Sequence, residues 1–426
     1  MTTVLKHIVL KERSKIMLNK NGTRELAYVV LVDGLEPISG YDRVEHAIVG
    51  GWRVIVQKDK FKVGEPAIYF EIDSRVPSNM ECFAFLEKRN YKVKTLKMCK
   101  TISQGLLMHA EDFGWHIAPA LHVEGYNTSY IVDNEGHNHN IENESRFLTK
   151  QLGVTYADEE DNQRKAAPVD KYKKMASRHP ELFKKPIVRW IMKHKFGRKV
   201  MFFFFGHKKD KKNNWPNHIA ERTDVERIQN CIWMLNDKQP YIASEKVDGS
   251  SFSAMAERTH FGKIKYYICS RNVVFDNPNA KCFYDTNIYF EAWNKYNLKE
   301  IITKILNDYN LPNVAIQAEI YGEGIQKRDY STKEHQMAVF HIVSNRVKFP
   351  MEKVVEICEK YNLPHVPIVN NNYIFPDTIE ELQTYVESDS SKIDGLAREG
   401  IVFYDKATGA QYVKFVSPNF LMKYHN

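Results

Sequence analysis

Hydrophobic and polar residues alternate with a period of two in several short segments between residues 27 and 106. The alternation is clearest in residues 27–32, 52–57 and 67–72, and glycine-containing turns such as Gly50-Gly51 separate these segments. A period of two places successive side chains on opposite faces of a β-strand. Short strands joined by turns predict a small β-barrel or sandwich in this part of the chain.

The pattern changes after residue 163, where an acidic run at 158–161 gives way to a basic segment. Within that segment, residues 180–199 have the apolar spacing of a helix. A second region of alternating segments starts near residue 214, with a helix predicted at 224–235 and a strand, polar loop and strand at 241–256. The pattern therefore predicts an N-terminal module at 1–163, a basic and partly helical linker at 164–213, and a second domain at 214–426.

Composition favours a soluble, intracellular protein. The 426 residues are 43% hydrophobic, which is enough for the cores of two domains. The longest apolar run, residues 200–205, is far shorter than the roughly 20 residues of a membrane helix. The six cysteines are scattered without zinc-site spacing, so we expect free thiols in a reducing compartment, most simply the cytoplasm. We expect no contact with a membrane.

The net charge of +8 is unevenly distributed. Residues 164–212, which we call the basic block, contain 17 Lys and Arg but only Asp170, Glu181 and Asp210, so the rest of the chain is net acidic. A basic block attracts a polyanion, most often a nucleic acid, although a solvated helix and linker is an equally simple interpretation. Residues 208–212 also have the composition of a nuclear-localisation signal, which leaves a nuclear location open.

A polar turn between two predicted strands contains the residues Lys246, Asp248 and Gly249. In an extended segment, Lys246 and Asp248 lie on the same side, and Gly249 permits a tight turn beside a phosphate. A lysine attacks phosphorus only after it loses its proton, so its pKa of about 10.4 has to be lowered by cationic neighbours or metal charge. Taken alone, this motif is as well explained by an ordinary hairpin turn.

Four further polar or aromatic residues lie at predicted strand edges later in the chain. Each alone indicates only a strand with a polar or aromatic residue at its edge. Together with the turn they supply a nucleophilic amine, carboxylates for a divalent metal, a stacking ring and a phosphate-directed lysine. They are Glu319, Phe340, Glu399 and Lys414.

In this order, the segments resemble the five nucleotidyltransferase motifs of the superfamily of covalent polynucleotide ligases and capping enzymes, over residues 214–417. Ser250 and Ser251 resemble the RNA ligase version of the first motif. Residues 50–54, 61–65, 69–74 and 103–106 resemble the OB module of the nick-sealing branch of ATP-dependent RNA ligases. Residues 222–230 resemble the helix that leads into the catalytic domain of that branch.

The resemblance implies an α+β protein, with an N-terminal OB-type β-barrel followed by a nucleotidyltransferase domain of antiparallel sheets flanked by helices. It implies that Lys246 attacks the α-phosphate of ATP, that AMP passes from the lysine to an RNA 5′-phosphate, and that a 3′-OH displaces AMP. Asp248, Glu319 and Glu399 would hold Mg²⁺, with Mn²⁺ as an alternative. The implied nucleotide-binding residues are Glu245 at the adenine edge, Lys246, Arg271 near the reacting ends, Glu319, Phe340 stacked on adenine, Glu399, and Lys414 at the α-phosphate.

Two features depart from the family pattern. The last motif often has two lysines one residue apart, but Lys414 is followed by Phe415 and Val416, and Lys423 is the nearest candidate for the second cation. The basic block separates modules that usually lie closer together. We expect it, with the barrel, to hold RNA through phosphates, and at least two of Trp52, Tyr69 and Phe70 to be core residues.

Two alternatives compete with an RNA ligase that repairs nicked duplex RNA as a monomer. A DNA ligase or capping enzyme carries an OB domain after the last motif, but only about a dozen residues follow Lys414. A catalytically silent RNA-binding protein on the same folds would have no reason to keep the nucleophile and three carboxylates together. The motif series therefore favours the ligase.

Overall fold

The structure is a computed structural model with two compact units, one of Met1–Thr155 with Pro216–Asn426 and one of Tyr156–Trp215. No helix among the described residues is long and apolar enough to cross a membrane. The basic block and the helix predicted at 180–199 lie outside the described residues, apart from three positions, and the predicted boundaries at 163 and 213 stay predictions. The described residues are 24–119, 129–141, 144–157, 188, 191, 194, 215–222, 225–260, 262–280, 282–407, 409 and 412–424.

The N-terminal region consists of short strands and 3₁₀ helices, and the strands predicted at 27–32, 52–57 and 67–72 are confirmed. The 3₁₀ helices are Glu81–Arg89, Ala110–Phe113 and Glu144–Arg146. The strands are β1 (Ala27–Leu31), β2 (Gly34–Ile38), β3 (Tyr41–Val49), β4 (Trp52–Gln57), β5 (Pro66–Phe70), β6 (Ser74–Arg75), β7 (Thr95–Met98), β8 (Thr101–Gln104), β9 (Leu106–Met108), β10 (His116–Ala118), β11 (Tyr130–Val132), β12 (Asn138–His139) and β13 (Thr155–Tyr156).

The antiparallel sheets β1-β5-β9 and β2-β3-β4 enclose one hydrophobic core, which confirms the expected small barrel. Alternate residues of β4 point into this core, so the period-two pattern is the pattern of burial. Trp52, Tyr69 and Phe70 are each at most 2% exposed and are core residues. These three rings are therefore unavailable for stacking on a nucleic-acid base.

The C-terminal region is built of two larger sheets and five helices within the described residues, which confirms the α+β class. The sheet orders are β14-β24-β23-β15-β22, with one parallel pair between β14 and β24, and β18-β17-β16-β19-β20-β21. The strands are β14 (Glu226–Arg227), β15 (Tyr241–Lys246), β16 (Ser250–Arg258), β17 (Ile264–Ser270), β18 (Val274–Phe275), β19 (Asn313–Tyr321), β20 (Gln336–Ser344), β21 (Val347–Lys348), β22 (Ile368–Tyr373), β23 (Gly400–Asp405) and β24 (Tyr412–Val416). The helices are α1 (Ile288–Lys295), α2 (Leu298–Asp308), α3 (Met351–Lys360), α4 (Ile379–Glu387) and α5 (Pro418–Tyr424).

The helices cover the sheets through apolar stripes. On α2, Leu298, Ile302, Ile305 and Leu306 are fully buried, and this spacing of four, three and one places them on one helical face. The Asn287 side chain accepts a hydrogen bond from the backbone N–H of Phe290 and caps α1. The resulting core joins both sheets and holds their strand edges in fixed positions around the pocket described below.

The helix predicted at 224–235 is wrong for the described part of that segment. It contains β14, which pairs with β24, and two short 3₁₀ helices at Ile228–Asn230 and Ile232–Asn236. The backbone carbonyl of Gln229 accepts a hydrogen bond from Gly51 N of the barrel at 2.8 Å. In this segment, backbone groups of β14 and Gln229 form hydrogen bonds with β24 and with the barrel, whereas in a regular helix they would bond within the helix. Tertiary contacts therefore override the local preference for a helix.

Asn230 is the centre of the contact between the barrel and the C-terminal region. Its Oδ1 accepts a hydrogen bond from Trp52 Nε1 at 2.7 Å. Its Nδ2 donates to Glu71 Oε1 and to Glu226 Oε1, both at 2.8 Å. Val416, at the end of β24, is part of the barrel core. The barrel is therefore docked beside the strand that carries Lys414.

Candidate active site

One pocket collects most of the residues singled out by the sequence motifs. It lies between the five-stranded and six-stranded sheets, is open to the surface, and has a cavity volume of about 170 Å³. Six of its residues were predicted site residues, and the remaining two predicted residues, Asp248 and Glu399, are not in its lining. The lining residues are Val225, Ser244, Glu245, Lys246, Val247, Ser251, Arg271, Glu319, Phe340, His341, Val366, Val402, Tyr404 and Lys414.

Lys246 is the last residue of β15 and lies directly opposite Gly400, which follows Glu399. Its Nζ donates hydrogen bonds to both carboxylate oxygens of Glu399, at 2.6 and 2.7 Å. The lysine is 24% exposed, whereas the glutamate is 7% exposed. The amine therefore reaches the pocket but is held by a buried carboxylate.

In the ligand-free structure, the electrostatics of this pair raise the pKa of Lys246, so the lowering that attack on phosphorus requires has to come from bound ligands. Burial favours the neutral amine, but the carboxylates of Glu399, Glu319 and Asp248 together outweigh it and raise the pKa of Lys246. Burial is also the main reason that the pKa of Glu319 rises to about 8, with Lys246 acting in the opposite direction. Without a bound ligand, Lys246 is a protonated amine and not an activated nucleophile.

The turn after Lys246 is packed against β19. The backbone N–H of Asp248 donates to the hydroxyl of Tyr330 at 2.6 Å. A Cβ on Gly249 would lie 2.2 Å from the backbone oxygen of Ile320, so the glycine is required by a neighbouring strand. The sequence indicated a glycine for close approach, but the approaching group in the structure is a backbone carbonyl rather than a phosphate.

The three predicted metal-binding carboxylates, Asp248, Glu319 and Glu399, all act on the charge of Lys246. Among the described residues, no group of three His, Cys, Asp or Glu side chains has the geometry to bind a metal ion. The donors are nevertheless all carboxylate oxygens, the ligands that Mg²⁺ and Mn²⁺ prefer. This set fits a hard divalent cation if Glu399 exchanges its bond to Lys246 for the metal.

A β-bulge in β20 brings two neighbouring residues to the pocket. His341 is opposite Gln317 and Val339 is opposite Ala318, so Phe340 has no partner in β19. Successive strand residues normally point to opposite faces, but an extra residue shifts this alternation. Phe340 and His341 therefore both line the pocket, and their ring centroids are 5.2 Å apart.

His341 also lines the pocket, but the sequence analysis did not single it out, although it directly follows Phe340. It is 3% exposed, and neither ring nitrogen has a hydrogen-bond partner among the described residues. Burial, helped by the charge of Lys348, lowers the pKa of His341 well below its usual range, so the ring is neutral. Its edge-to-face contacts with Tyr404 and Tyr412 hold the imidazole in place. A neutral imidazole offers one donor and one acceptor to a ligand or water.

The carboxylate of Glu245 is already hydrogen-bonded within the protein and is not free to contact adenine as predicted. It is 1% exposed, and its oxygens accept hydrogen bonds from the Ser391 hydroxyl and, at 2.8 Å, from Lys392 N. Burial raises its pKa, whereas these two hydrogen bonds act in the opposite direction. In this state, Glu245 binds the loop before β23, although it also borders the pocket.

Arg271 and Lys414 lie in the same pocket as Lys246, as expected. Lys414 is in β24 opposite Val402, which in turn is opposite Ser244 of β15. Arg271 follows the end of β17 and lowers the pKa of Glu319, against the larger effect of burial. Lys423, the suggested second cation, is in α5 and is absent from the described lining of this pocket.

Two parts of the chain match models of known families. Residues 239–425 match the model of a family described as RNA ligase, and residues 26–110 match a model described as an OB-fold domain. A search of curated protein sequences finds no match.

Solved structures of an RNA ligase from Naegleria gruberi have the same fold. Three of them, a variant with AMP and Mn, a variant with ATP and Mn, and the protein with PPi, each give a TM-score of 0.66. The sequence identities are 21%, 20% and 21%, and each comparison covers 94% of this chain and 99% of the other. At this level of identity, the likeness establishes the shared fold.

Proposed function

We propose that this chain is an ATP-dependent RNA ligase that works through a lysyl-AMP intermediate on Lys246, because residues 239–425 match the RNA ligase family model and residues 26–110 match an OB-fold domain model. The observation that carries the proposal is a single pocket lined by Lys246, Glu319, Arg271 and Lys414, together with the charges of Asp248 and Glu399 that act on Lys246. The ATP and AMP complexes of the Naegleria ligase support the choice of nucleotide.

In the first step, Lys246 Nζ forms a bond to the α-phosphorus of ATP and pyrophosphate leaves. The amine has to leave Glu399 and lose a proton, because the structure holds it as a protonated donor. Asp248, Glu319 and Glu399 would hold the Mg²⁺ or Mn²⁺ ion, whose positive charge would lower the pKa of Lys246 and neutralise phosphate charge. The same carboxylates that keep the lysine inactive would thus favour its activation once ATP and the ion are bound.

The next two steps use the same pocket. The RNA 5′-phosphate attacks the phosphorus of lysyl-AMP and releases the lysine, and the RNA 3′-OH then attacks the adenylated 5′-phosphate and releases AMP. Negative charge has to be balanced around phosphorus in every step. Lys414 and Arg271 place fixed positive charges at the pocket wall, where they would contact the α-phosphate and the RNA ends. Phe340 would stack on adenine.

The substrate that we propose is nicked duplex RNA with a 5′-phosphate and a 3′-OH, sealed by a monomeric enzyme in RNA repair in the cytoplasm. The support is the resemblance of the N-terminal module to the nick-sealing branch. Labelled sealing assays with a nicked duplex, a single strand and a DNA-containing nick would compare the substrates directly.

The test of the central proposal is incubation with α-labelled ATP and Mg²⁺, followed by denaturing electrophoresis. We expect covalent label on the wild type and on Lys265→Ala, which removes a lysine 58% exposed outside the pocket, but none on Lys246→Ala. Label on Lys246→Ala, or none on the wild type, would contradict the assignment and favour a silent RNA-binding protein. Preference for labelled GTP would instead indicate a capping enzyme.

A further inference from the structure

Residues 81–104 form an extension of the barrel that we call the outer hairpin segment. It consists of the 3₁₀ helix Glu81–Arg89 and the antiparallel hairpin of β7 and β8. The segment contains six Lys and Arg residues but only two acidic residues, Glu81 and Glu87. It is therefore strongly basic, and it lies outside the basic block of residues 164–212.

Much of this charge is uncompensated. Lys88, Arg89, Lys97 and Lys100 are exposed, and none of the four side chains is hydrogen-bonded or ion-paired with another residue in the described ranges. Exposed cations without acidic neighbours attract a polyanion, because binding releases the counterions of its phosphates. Charge complementarity thus makes this surface suitable for a nucleic-acid backbone.

An exposed aromatic ring accompanies the cations. Phe85 is 61% exposed, whereas Trp52, Tyr69 and Phe70 of the barrel are buried. In the 3₁₀ helix, residues three apart lie on the same side, so Phe85 lies beside Lys88. A ring next to a cation is the combination that binds an unpaired base and its phosphate without reading sequence.

The hairpin is attached to the barrel and packs beside the C-terminal helix α5. Its turn residues, Cys99 and Lys100, have φ values of 52° and 59°, a left-handed conformation that is uncommon for residues other than glycine. Ser103 Oγ of β8 accepts a hydrogen bond from Ile55 N of the barrel at 2.9 Å. β7 packs beside α5, which starts two residues after β24 and hence close in sequence to Lys414.

We propose that the outer hairpin segment is an RNA-docking element. Lys88, Arg89, Lys97 and Lys100 would bind phosphates of the strand that enters the active site, and Phe85 would stack on an unpaired base. The inference rests on the proposed function for the identity of the polyanion, but RNA binding can be measured without any ligation step.

The first test is fluorescence anisotropy of a labelled nicked RNA duplex over a range of salt concentrations. The variant replaces Lys88, Arg89, Lys97 and Lys100 by Ala, and a matched control replaces the exposed residues Lys263, Lys265, Lys299 and Lys304. Four lost phosphate contacts should reduce the slope of log K against log salt by about 3 and weaken binding at least tenfold at physiological salt. The control should retain the wild-type slope to within about 1. Equal losses in both variants, or no loss in the first, would overturn the proposal.

The second test separates stacking from charge. Phe85→Ala should weaken binding to single-stranded RNA about tenfold without changing the salt slope, Phe85→Trp should restore it, and Phe85→Leu should not. Binding of a fully paired duplex should be unchanged in all three. If Leu restores binding as well as Trp does, Phe85 acts as a general apolar contact and its stacking role is wrong.

Lysyl-AMP formation distinguishes this inference from the proposed function. It should be unchanged in every variant of the segment, because none of the altered residues lines the nucleotide pocket. A wild-type protein that binds RNA through the segment but forms no lysyl-AMP would overturn the ligase assignment alone. A protein that adenylates normally, with RNA affinity independent of the segment, would overturn the docking inference alone.

Discussion

At the scale of single residues, Glu399 has two possible partners, the amine of Lys246 and a metal ion. Glu399 holds Lys246 as a protonated amine through two hydrogen bonds, and the resemblance assigns the same glutamate to a metal. As long as Glu399 keeps Lys246 protonated, the amine is not a nucleophile and does not react with electrophiles from the solvent. Under the proposed mechanism, activation would be coupled to ligand binding, because a cation in the pocket would compete with the lysine for Glu399.

Glu319 supplies a prediction about stability and pH. Its folded-state pKa of about 8 exceeds the roughly 4.3 of a free glutamate, so the stability linked to its proton is lost as pH rises between these values. For the ligand-free protein, Glu319→Gln should raise the melting temperature at pH 8 by a few degrees and change it much less at pH 5. Thermal melts at both pH values check this, with the exposed Glu323→Gln as control. Equal shifts at the two pH values would contradict the raised pKa.

His341 supplies a prediction about nucleotide affinity. Its ring nitrogens are buried without partners among the described residues, and an unmade buried hydrogen bond costs about 1–3 kcal/mol. If ATP satisfies the imidazole, His341→Leu should raise KM for ATP about tenfold in lysyl-AMP formation, whereas His341→Gln should raise it less.

A purely structural role for His341 gives the opposite result. Replacing an unsatisfied polar ring by leucine would then raise the melting temperature and leave KM unchanged. Steady-state kinetics and thermal melts on the same two variants therefore distinguish the roles.

At the scale of elements, the short strand β14 links the barrel to the nucleotide pocket. Val225, just before β14, lines the pocket, and Arg227 of β14 is paired with Lys414 of β24. Arg227 also forms an ion pair at 2.7 Å with Asp73 of the barrel. A displacement of the barrel would thus act on the strand that presents Lys414.

A substitution at Asn230 tests the contact between the barrel and the β14 segment. Its amide group separates the carboxylates of Glu71 and Glu226, and burial, opposed by Arg24 and reinforced by Glu71, raises the pKa of Glu226. Asn230→Asp would put a third carboxylate between them and should lower the free energy of unfolding by about 1–3 kcal/mol at neutral pH. The loss should diminish as the pH falls towards 5, because protonation of a carboxyl restores a donor.

Urea unfolding at pH 7.5 and 5 measures this effect. The matched control is Asn294→Asp, which makes the same change at an exposed position of α1. A loss that is equal in the two variants, or that is independent of pH, would show that Asn230 does not separate the carboxylates.

At the scale of the whole molecule, charge is divided between a net acidic catalytic background and basic segments outside the pocket. The basic block was predicted from the sequence to hold RNA through phosphates, and the outer hairpin segment adds a second candidate. If both elements bind RNA, they would hold it outside the pocket and leave the pocket carboxylates to the metal. Their separate contributions should appear in the salt dependence of RNA binding.

Replacement of residues 164–212 by a neutral linker of the same length tests the first element. RNA binding should weaken, and the slope of log K against log salt should become smaller by at least 2. Lysyl-AMP formation should be unchanged, because the motif residues lie at 245–414. The labelled-ATP gel and anisotropy titrations measure the two properties on one preparation. Unchanged affinity and slope would show that the block is only a solvated linker.

The local pattern by itself determined the strands of the barrel and the order of the nucleotidyltransferase motifs, because alternation and strand-edge polarity are properties of neighbouring residues. It also singled out Lys246, Glu319, Phe340, Glu399 and Lys414; the structure brings four of them to one pocket and bonds Glu399 to Lys246.

Only the tertiary structure decided the charge state of Lys246, the engagement of Glu245 by Ser391 and Lys392, and the extended form of the segment at Glu226–Arg227. It also showed that His341 is buried in the pocket wall. In each case, the deciding partner is distant in the sequence, as Glu399 is from Lys246 and β24 is from β14. A pKa, a hydrogen-bond partner and a strand pairing depend on such distant groups, and no local pattern specifies them.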